Sequence, residues 1–199
     1  MVSFLLSPLQ FSERVMMRIA CIAWGSLLWK TGPLKLASSW MDGGPALPLE
    51  FSRDSDDSDE LAIVLQEGVP LMPTWYAMLD TDTMQDARAM LGAREKIDPD
   101  HPEWIGSIPA VDGSATDARI AAWLNGHEID GVVWTALPPK FADVEGRAPS
   151  AEEAVAFLSG LRGTTRAHAE DYIRRVPAAI RTALRVRIEH DLQWLPLEA

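Results

Sequence analysis

Two short stretches of the sequence combine residue types that could perform acid/base chemistry on a bound substrate. Trp24-Gly-Ser-Leu-Leu-Trp29 follows a short apolar run, and Glu95 ends an amphipathic segment over 82–95. A Gly-Ser bend after a strand lets several backbone N–H groups point in one direction, which makes a small concavity for an anion. Gly25 suits this place because a side chain would block the approach of a ligand carboxylate or oxyanion. A simple turn is the other interpretation of the same bend.

Glu95 extends the apolar face of its predicted helix although it carries a carboxylate. The helical spacing i, i+3 or i+4, i+7 and i+11 aligns it with Met84, Ala87 or Arg88, and Leu91. A carboxylate partly removed from water holds its proton more tightly, and the negative end of a helix acts in the same direction. Both effects move the pKa of a Glu towards the range useful to a general acid or base. The alternative is a solvent-facing Glu95 at a frayed helix end, paired with Lys96 or Arg94.

The motifs of common cofactor and metal sites are absent from the sequence. GxxxxGK[ST], GxGxxG, HExxH and CxxC do not occur, and the four histidines lie at no ligand-like spacing. The acidic run 54–60 begins like a calcium loop, but Asp59 stands where that loop needs Gly and Leu65 where it needs Glu. The residues therefore give no support to a phosphate, dinucleotide or zinc site, and the acidic run predicts a solvated hairpin loop.

The elements that would position these residues can be read from the hydrophobic pattern. Apolar or alternating stretches predict strands over 18–24, 47–53, 61–65, 74–79 and 131–137, the second and third as an antiparallel pair. Helical patterning covers 82–95, 114–126, 151–161 and 165–192, with a break at Pro177. Asp82 is the predicted N-cap of the first helix, and Ser150-x-x-Glu153 is a capping box for the third. Strands in the first half and helices in the second favour an α+β fold.

The composition limits the partners of the protein. The 199 residues carry a formal net charge of −11, and a surface that acidic repels phosphate backbones, so we expect no nucleic-acid partner. No apolar run approaches the roughly 18 residues that a membrane-spanning helix needs, so we expect no membrane partner. Cys21 is the only cysteine, which excludes a disulfide scaffold. We expect an acidic, cytoplasmic protein.

We predict one domain over 17–199, preceded by a flexible extension over 1–16. The extension does not match a signal peptide, because no basic residue precedes its apolar stretch and Pro8 interrupts it. The helical part over 150–199 is predicted to pack on the strands of its own chain. The alternative is that this part presents its apolar face to another chain.

Two motifs and their spacing resemble those of gamma-glutamyl cyclotransferases, especially the ChaC-like branch. The matching stretches are Ala23-Trp-Gly-Ser-Leu-Leu-Trp29 and Leu91-Gly-Ala-Arg-Glu-Lys96, separated by the strand pair and the Trp75-Tyr76 strand. The resemblance covers residues 18–137. It implies a small mixed or antiparallel β-barrel of about five strands, flanked by helices and followed by a helical C-terminal segment.

The resemblance also implies an activity. Members of the family are cofactor-independent lyases, needing neither metal nor organic cofactor, and act on small γ-glutamyl compounds such as glutathione or γ-glutamyl amines. The substrate's own α-amine attacks its γ-carbonyl, which releases 5-oxoproline and a free amine or peptide. By position, Glu95 would be the general acid/base. Trp24, Gly25, Ser26 and Leu27 would bind the glutamyl end, chiefly through backbone N–H groups.

The chain departs from the family pattern at two places. Trp24 stands where the family has Tyr, and Ile97–Gly106 replaces a Gly-Gly-Tyr-like segment with a loop broken by prolines. The alternative function is therefore an inactive binding module for an amino-acid-like ligand or a protein partner. The enzyme requires the Glu95 carboxylate and the Gly25–Leu27 loop to line one cavity large enough for a glutamyl group. A solvent-facing Glu95, or a Trp24 ring that fills this cavity, would favour the binding module.

Overall fold

The computed structural model describes residues 16–55, 60–111 and 113–197. Most of the predicted N-terminal extension, and the centre of the acidic loop at 56–59, lie outside these residues. The strands are β1 (Ile19–Ala23), β2 (Met41–Asp42), β3 (Leu47–Asp54), β4 (Leu61–Leu65), β5 (Leu71–Met72), β6 (Trp75–Met78), β7 (Ile105–Ile108), β8 (Gly131–Thr135), β9 (Lys140–Phe141) and β10 (Val144–Glu145). The α-helices are α1 (Met84–Glu95), α2 (Ala118–Leu124), α3 (Ala151–Gly160), α4 (Gly163–Arg175) and α5 (Ala183–Leu192).

The strands form two sheets. The first has the order β2-β6-β1-β8-β7, in which β1 runs parallel to β8 and antiparallel to β6. The second has the order β10-β9-β3-β4, and β5 pairs with the start of β3. The predicted antiparallel pairing of β3 with β4 is confirmed. Together with the helices, these sheets confirm the predicted α+β class with mixed strands flanked by helices, while the closure of about five strands into a small barrel stays a prediction.

Strand β1 is apolar at every position because both of its faces are covered. Ile19, Cys21 and Ala23 pack against a cluster that contains α1, whereas Ala20 and Ile22 pack into the main core with β3 and β4. All five side chains are almost fully buried. A continuous apolar run is what a strand buried on both faces requires.

Helices α3, α4 and α5 pack on the sheets through the main core. That core joins the apolar residues of β3 and β4 to Leu158, Ile173, Ile188 and Trp194. The buried Arg185 guanidinium of α5 crosses to the end of α4, where it donates to the carbonyl groups of Ile173, Val176, Pro177 and Ile180 and to Glu189 Oε1. A guanidinium can satisfy several orphan carbonyls of a helix end at once, so Arg185 fixes the angle between α4 and α5.

Two details differ from the sequence-based predictions, and a third agrees with them. The N-cap of α1 is Thr83 rather than Asp82, because the Thr83 hydroxyl accepts the Asp86 N–H at 3.1 Å. Strand β7 lies at the end of the segment that was predicted to be a proline-broken loop. The capping box of α3 is confirmed, with Ser150 and Glu153 bonded in both directions. Among the described residues, no helix combines the length and apolar character needed to cross a membrane.

Candidate active site

Glu95 is the last residue of α1, and the way this helix ends sets the position of its side chain. Lys96 adopts a left-handed conformation with φ of 54°, and the Ile97 N–H turns back to the Gly92 carbonyl at 2.9 Å. The apolar face of α1, through Leu91, is buried against the first sheet. This packing brings the end of the helix beside the end of β8, where Thr135 lies.

The Glu95 carboxylate is held on both of its oxygens. Oε1 accepts the Thr135 hydroxyl at 3.3 Å, and Oε2 pairs with Arg94 Nη1 at 3.2 Å. Only 15% of the Glu95 side chain is exposed. The carboxylate is therefore removed from water, as the apolar-face interpretation predicts. It is also paired with Arg94, as the helix-end interpretation predicts.

Burial dominates the protonation of Glu95. Loss of water raises the pKa of this carboxyl above its ordinary value, while the Arg94 charge and the hydrogen bonds from Thr135 and Arg94 oppose the rise. The net pKa shift is upward. A carboxylate tuned in this direction is a better proton acceptor than an exposed Glu, and it returns the proton at a pH nearer neutrality.

The Gly25–Leu27 loop forms a tight turn that leaves N–H groups without a protein acceptor. Ser26–Leu28 is a single 3-10 turn, closed by the Leu28 N–H to the Gly25 carbonyl at 3.0 Å. Within the described residues, the N–H groups of Ser26 and Leu27 donate to no other group, as expected for the first residues of a turn. These two N–H groups are available to a ligand, and the anion-binding concavity at the Gly-Ser bend stays a prediction.

Arg94 connects the loop to Glu95, and sequence reasoning considered it only as a counter-ion. Its Nη2 donates to Ser26 Oγ at 2.8 Å and its Nε donates to the Lys30 carbonyl at 3.0 Å, while Nη1 contacts Glu95. The side chain is 11% exposed. Because Ser26 Oγ accepts from Arg94, the proton of this hydroxyl is left to donate elsewhere. The signal in the sequence was the position of Arg94 next to Glu95.

Glu95 and the loop line one cavity of about 780 Å³. Its lining includes all of the residues predicted for the site: Trp24, Gly25, Ser26, Leu27 and Glu95. A volume in this range accommodates a small molecule with room beyond a glutamyl group. The Trp24 ring does not fill this space, because Trp24 is 5% exposed within the main core and its indole N–H donates to the Ile63 carbonyl at 3.1 Å.

Tyr172 of α4 lines the same cavity next to the loop. Its hydroxyl accepts the Ile63 N–H at 3.2 Å, and its ring meets Trp29 edge to face at 5.7 Å. A Cβ atom placed on Gly25 would lie 3.1 Å from the Tyr172 oxygen, so the absence of a side chain there permits this approach. The sequence pattern placed Tyr172 on the apolar face of a C-terminal helix and did not predict its contact with the loop.

The donor set of the cavity is suited to binding organic groups. Within the described residues, no group of three or more His, Cys, Asp or Glu side chains is arranged to hold a metal ion. The lining combines the carboxylates of Glu60, Glu95 and Asp171, the guanidiniums of Arg53 and Arg94, two lysines and a histidine with hydroxyl groups and aromatic rings. Such a set can transfer a proton, and can bind the charged and polar ends of an amino-acid-like ligand.

The two-sheet α+β architecture belongs to the gamma-glutamyl cyclotransferase-like class of folds. A solved structure with this fold is a gamma-glutamyl cyclotransferase specific to glutathione from yeast. It superposes with a TM-score of 0.50 over 90% of this chain and 97% of that chain, at 11% sequence identity. At this identity the likeness shows the fold. No family model and no curated protein matches the sequence.

Proposed function

We propose that this protein is a gamma-glutamyl cyclotransferase-like enzyme that cleaves a γ-glutamyl amide to 5-oxoproline and a free amine or peptide. One observation carries the proposal: Arg94 bridges the Glu95 carboxylate and the Ser26 hydroxyl on the wall of a single open cavity. A proton acceptor and an anion-binding turn are thereby held in fixed relation, which is what an intramolecular acyl transfer needs.

The reaction forms a bond between the substrate's α-nitrogen and its γ-carbonyl carbon. Glu95 accepts a proton from the α-amine as this nitrogen attacks, and returns the proton to the leaving nitrogen as the amide bond breaks. The same carboxyl thus acts first as base and then as acid, and the raised pKa of Glu95 favours the first step, because it makes the carboxylate a stronger base. Because nucleophile and electrophile belong to one molecule, holding the substrate folded supplies much of the rate enhancement.

Substrate binding is assigned to Gly25, Ser26 and Leu27, with Trp24 behind them. The N–H groups of Ser26 and Leu27 and the Ser26 hydroxyl are donors suited to oxygen atoms of the glutamyl portion. Proton transfer and positioning are sufficient for the reaction as written, so the proposal requires no cofactor. The ChaC-like motifs around Gly25 and Glu95 make glutathione the first substrate to test, followed by γ-glutamyl amines.

The test is release of 5-oxoproline from a panel of γ-glutamyl peptides and amines. We expect turnover by the wild type and a loss of about 10²–10⁴-fold in kcat for Glu95→Gln, which keeps the size of the side chain but removes its titratable carboxyl. Glu152→Gln is the matched control, because this Glu is 76% exposed on α3 and does not line the cavity. It should turn over at the wild-type rate.

Failure of folded wild-type protein on every member of the panel would contradict the proposed activity. The alternative is then the binding module, and it has its own readout. Titration calorimetry with the same γ-glutamyl compounds would detect binding without turnover, and Glu95→Gln would retain that binding if the site only holds its ligand.

A further inference from the structure

The hydroxyl of Tyr172 is a feature of the cavity that the proposed reaction leaves unused. Tyr172 lies on α4, which follows the part of the chain that carries both motifs. Its oxygen packs against Gly25, where an added Cβ would be only 3.1 Å away. The hydroxyl therefore sits at the same loop whose N–H groups are assigned to the glutamyl portion.

The Tyr172 hydroxyl accepts a hydrogen bond from the protein, but its own proton has no acceptor among the described residues. A phenol can donate once and accept, and Tyr172 already accepts the Ile63 N–H at 3.2 Å. Across the described residues, no acceptor receives the Tyr172 proton. The side chain is 7% exposed and lines the cavity, so its proton is available to an acceptor bound there. A buried donor without a partner is unfavourable, and a ligand oxygen in the cavity would remove that cost.

The phenol is a neutral donor under ordinary conditions. Burial raises the pKa of Tyr172, and the nearby carboxylates of Glu60 and Glu95 raise it further. It therefore keeps its proton throughout the range in which an enzyme of this kind would work. A neutral donor on the wall of a cavity is most effective opposite an oxygen that gains negative charge during the reaction.

We propose that the Tyr172 hydroxyl donates a hydrogen bond to the γ-carbonyl oxygen of the substrate. This inference rests on the proposed function. Attack by the α-nitrogen on the γ-carbon moves an electron pair of the carbonyl bond onto this oxygen. When the intermediate collapses, the carbonyl bond forms again and the bond to the leaving nitrogen breaks. The proton stays on Tyr172 throughout. Helix α4 thus completes the catalytic site that the loop and α1 begin.

Tyr172→Phe is the direct test, since it keeps the ring and its contact with Trp29 and removes only the hydroxyl. We expect kcat for 5-oxoproline release to fall about 10²-fold, with KM changed less than about threefold. The variant also loses the acceptor of the Ile63 N–H. Ser150→Ala therefore serves as a stability control, because loss of the α3 N-cap should lower Tm by a similar few degrees while leaving kcat unchanged.

A substrate change distinguishes a contact with the carbonyl oxygen from a general disturbance. Replacing the γ-carbonyl oxygen by sulfur weakens its acceptance of a hydrogen bond. The oxygen-to-sulfur change should therefore reduce kcat/KM about tenfold more in the wild type than in Tyr172→Phe, because the variant has already lost the donor. Equal ratios in the two proteins would overturn the inference.

A second measurement does not depend on the folding of Tyr172→Phe. Tyr76 and Tyr172 are the two tyrosines of the chain, so incorporation of 3-fluorotyrosine gives two ¹⁹F resonances, assigned with Tyr76→Phe. In Glu95→Gln saturated with a γ-glutamyl amide, we expect the Tyr172 resonance to shift and the Tyr76 resonance to stay. An unmoved Tyr172 resonance, with turnover by the wild type intact, would refute the role of Tyr172 alone. Absence of wild-type turnover would refute the proposed function itself.

Discussion

The cavity has two walls that are built in different ways. The helix-end wall consists of the Gly25–Leu27 loop with Arg94 and Glu95, and its groups are joined by one guanidinium. The α4 wall consists of Ile63 and Tyr172, which are 109 residues apart in the chain and joined by one hydrogen bond. The helix-end wall therefore comes from two short motifs, whereas the α4 wall depends on long-range packing.

Each wall also depends on one buried arginine that binds carbonyl groups. Arg185 of α5 holds the end of α4. Arg88 of α1 holds β7 and the turn before it, through the carbonyl oxygens of Pro102 and Ile105 and the hydroxyl of Ser107. Substitution of either arginine should weaken one wall and leave the other intact. The two walls can therefore be compared by the stability of the two variants.

The largest effect is expected for Arg185→Met. The side chain is 1% exposed, and its loss leaves four carbonyl groups and the Glu189 carboxylate without this donor. We expect the free energy of unfolding to fall by about 3–5 kcal/mol, which corresponds to roughly 10 °C in Tm. Urea denaturation provides the measurement. Arg187→Met, at a residue whose side chain is 45% exposed, should cost less than about 1 kcal/mol, and an equal loss in both variants would contradict the role of Arg185.

Arg88→Met should weaken the other wall by a smaller amount, because Arg88 has three acceptors rather than five. We expect a loss of about 2–3 kcal/mol in the free energy of unfolding, from buried acceptors left without a donor. Gln85→Met, on the exposed side of the same helix, should change stability by less than about 0.5 kcal/mol. If Arg88→Met unfolds at the same urea concentration as Gln85→Met, the contacts of Arg88 do not stabilise this wall.

Gly25→Ala acts where the two walls meet. The added Cβ would lie 3.1 Å from the Tyr172 oxygen and 3.2 Å from Ile63 Cγ2, so the walls must separate by a few tenths of an ångström. We expect a stability loss of about 1 kcal/mol and about a tenfold loss in kcat/KM for 5-oxoproline release. Gly160→Ala has no atom within 4 Å of its new Cβ and should leave turnover unchanged. Wild-type activity in Gly25→Ala would show that this close approach is not needed.

The smallest change is expected in the pH profile of Arg94→Met. The Arg94 charge lowers the pKa of Glu95, so its removal raises that pKa further. The base must be ionised to accept a proton, and kcat/KM is therefore lost as pH falls through the Glu95 pKa. The acidic limb of the profile should lie above that of an ordinary Glu in the wild type and move to higher pH in Arg94→Met. Arg94→Lys keeps a positive charge and should move the acidic limb less than Arg94→Met. An acidic limb that stays in place in Arg94→Met would contradict the pairing of Arg94 with Glu95.

The helix-end wall was accessible to sequence analysis because its signals are local. The apolar face of α1 fixes which way Glu95 points, and the Gly25-Ser26 bend marks the end of a buried strand. The α4 wall was not accessible, because the pattern around Tyr172 is that of any amphipathic helix. Only the packing of α4 against β4 brings its hydroxyl to Gly25.

Strand β7 was missed for a related reason. Pro102 and Gly106 read as breaks in secondary structure, but a Cβ on Gly106 would come within 1.9 Å of the Trp134 ring of β8. Gly106 is therefore a place where a strand accommodates its neighbour's side chain, rather than the end of a strand. The sequence does not contain this information until the pairing of β7 with β8 is known.

The two hydrogen bonds at Ile63 have a consequence for self-association. Strand β4 lies at the edge of the second sheet, and an open edge can recruit a strand from another molecule. The Ile63 carbonyl is occupied by the Trp24 indole and its N–H by the Tyr172 hydroxyl, so two aromatic side chains take the place of a neighbouring strand. At Ile63, the residues that close the cavity also block this edge to strand addition and aggregation.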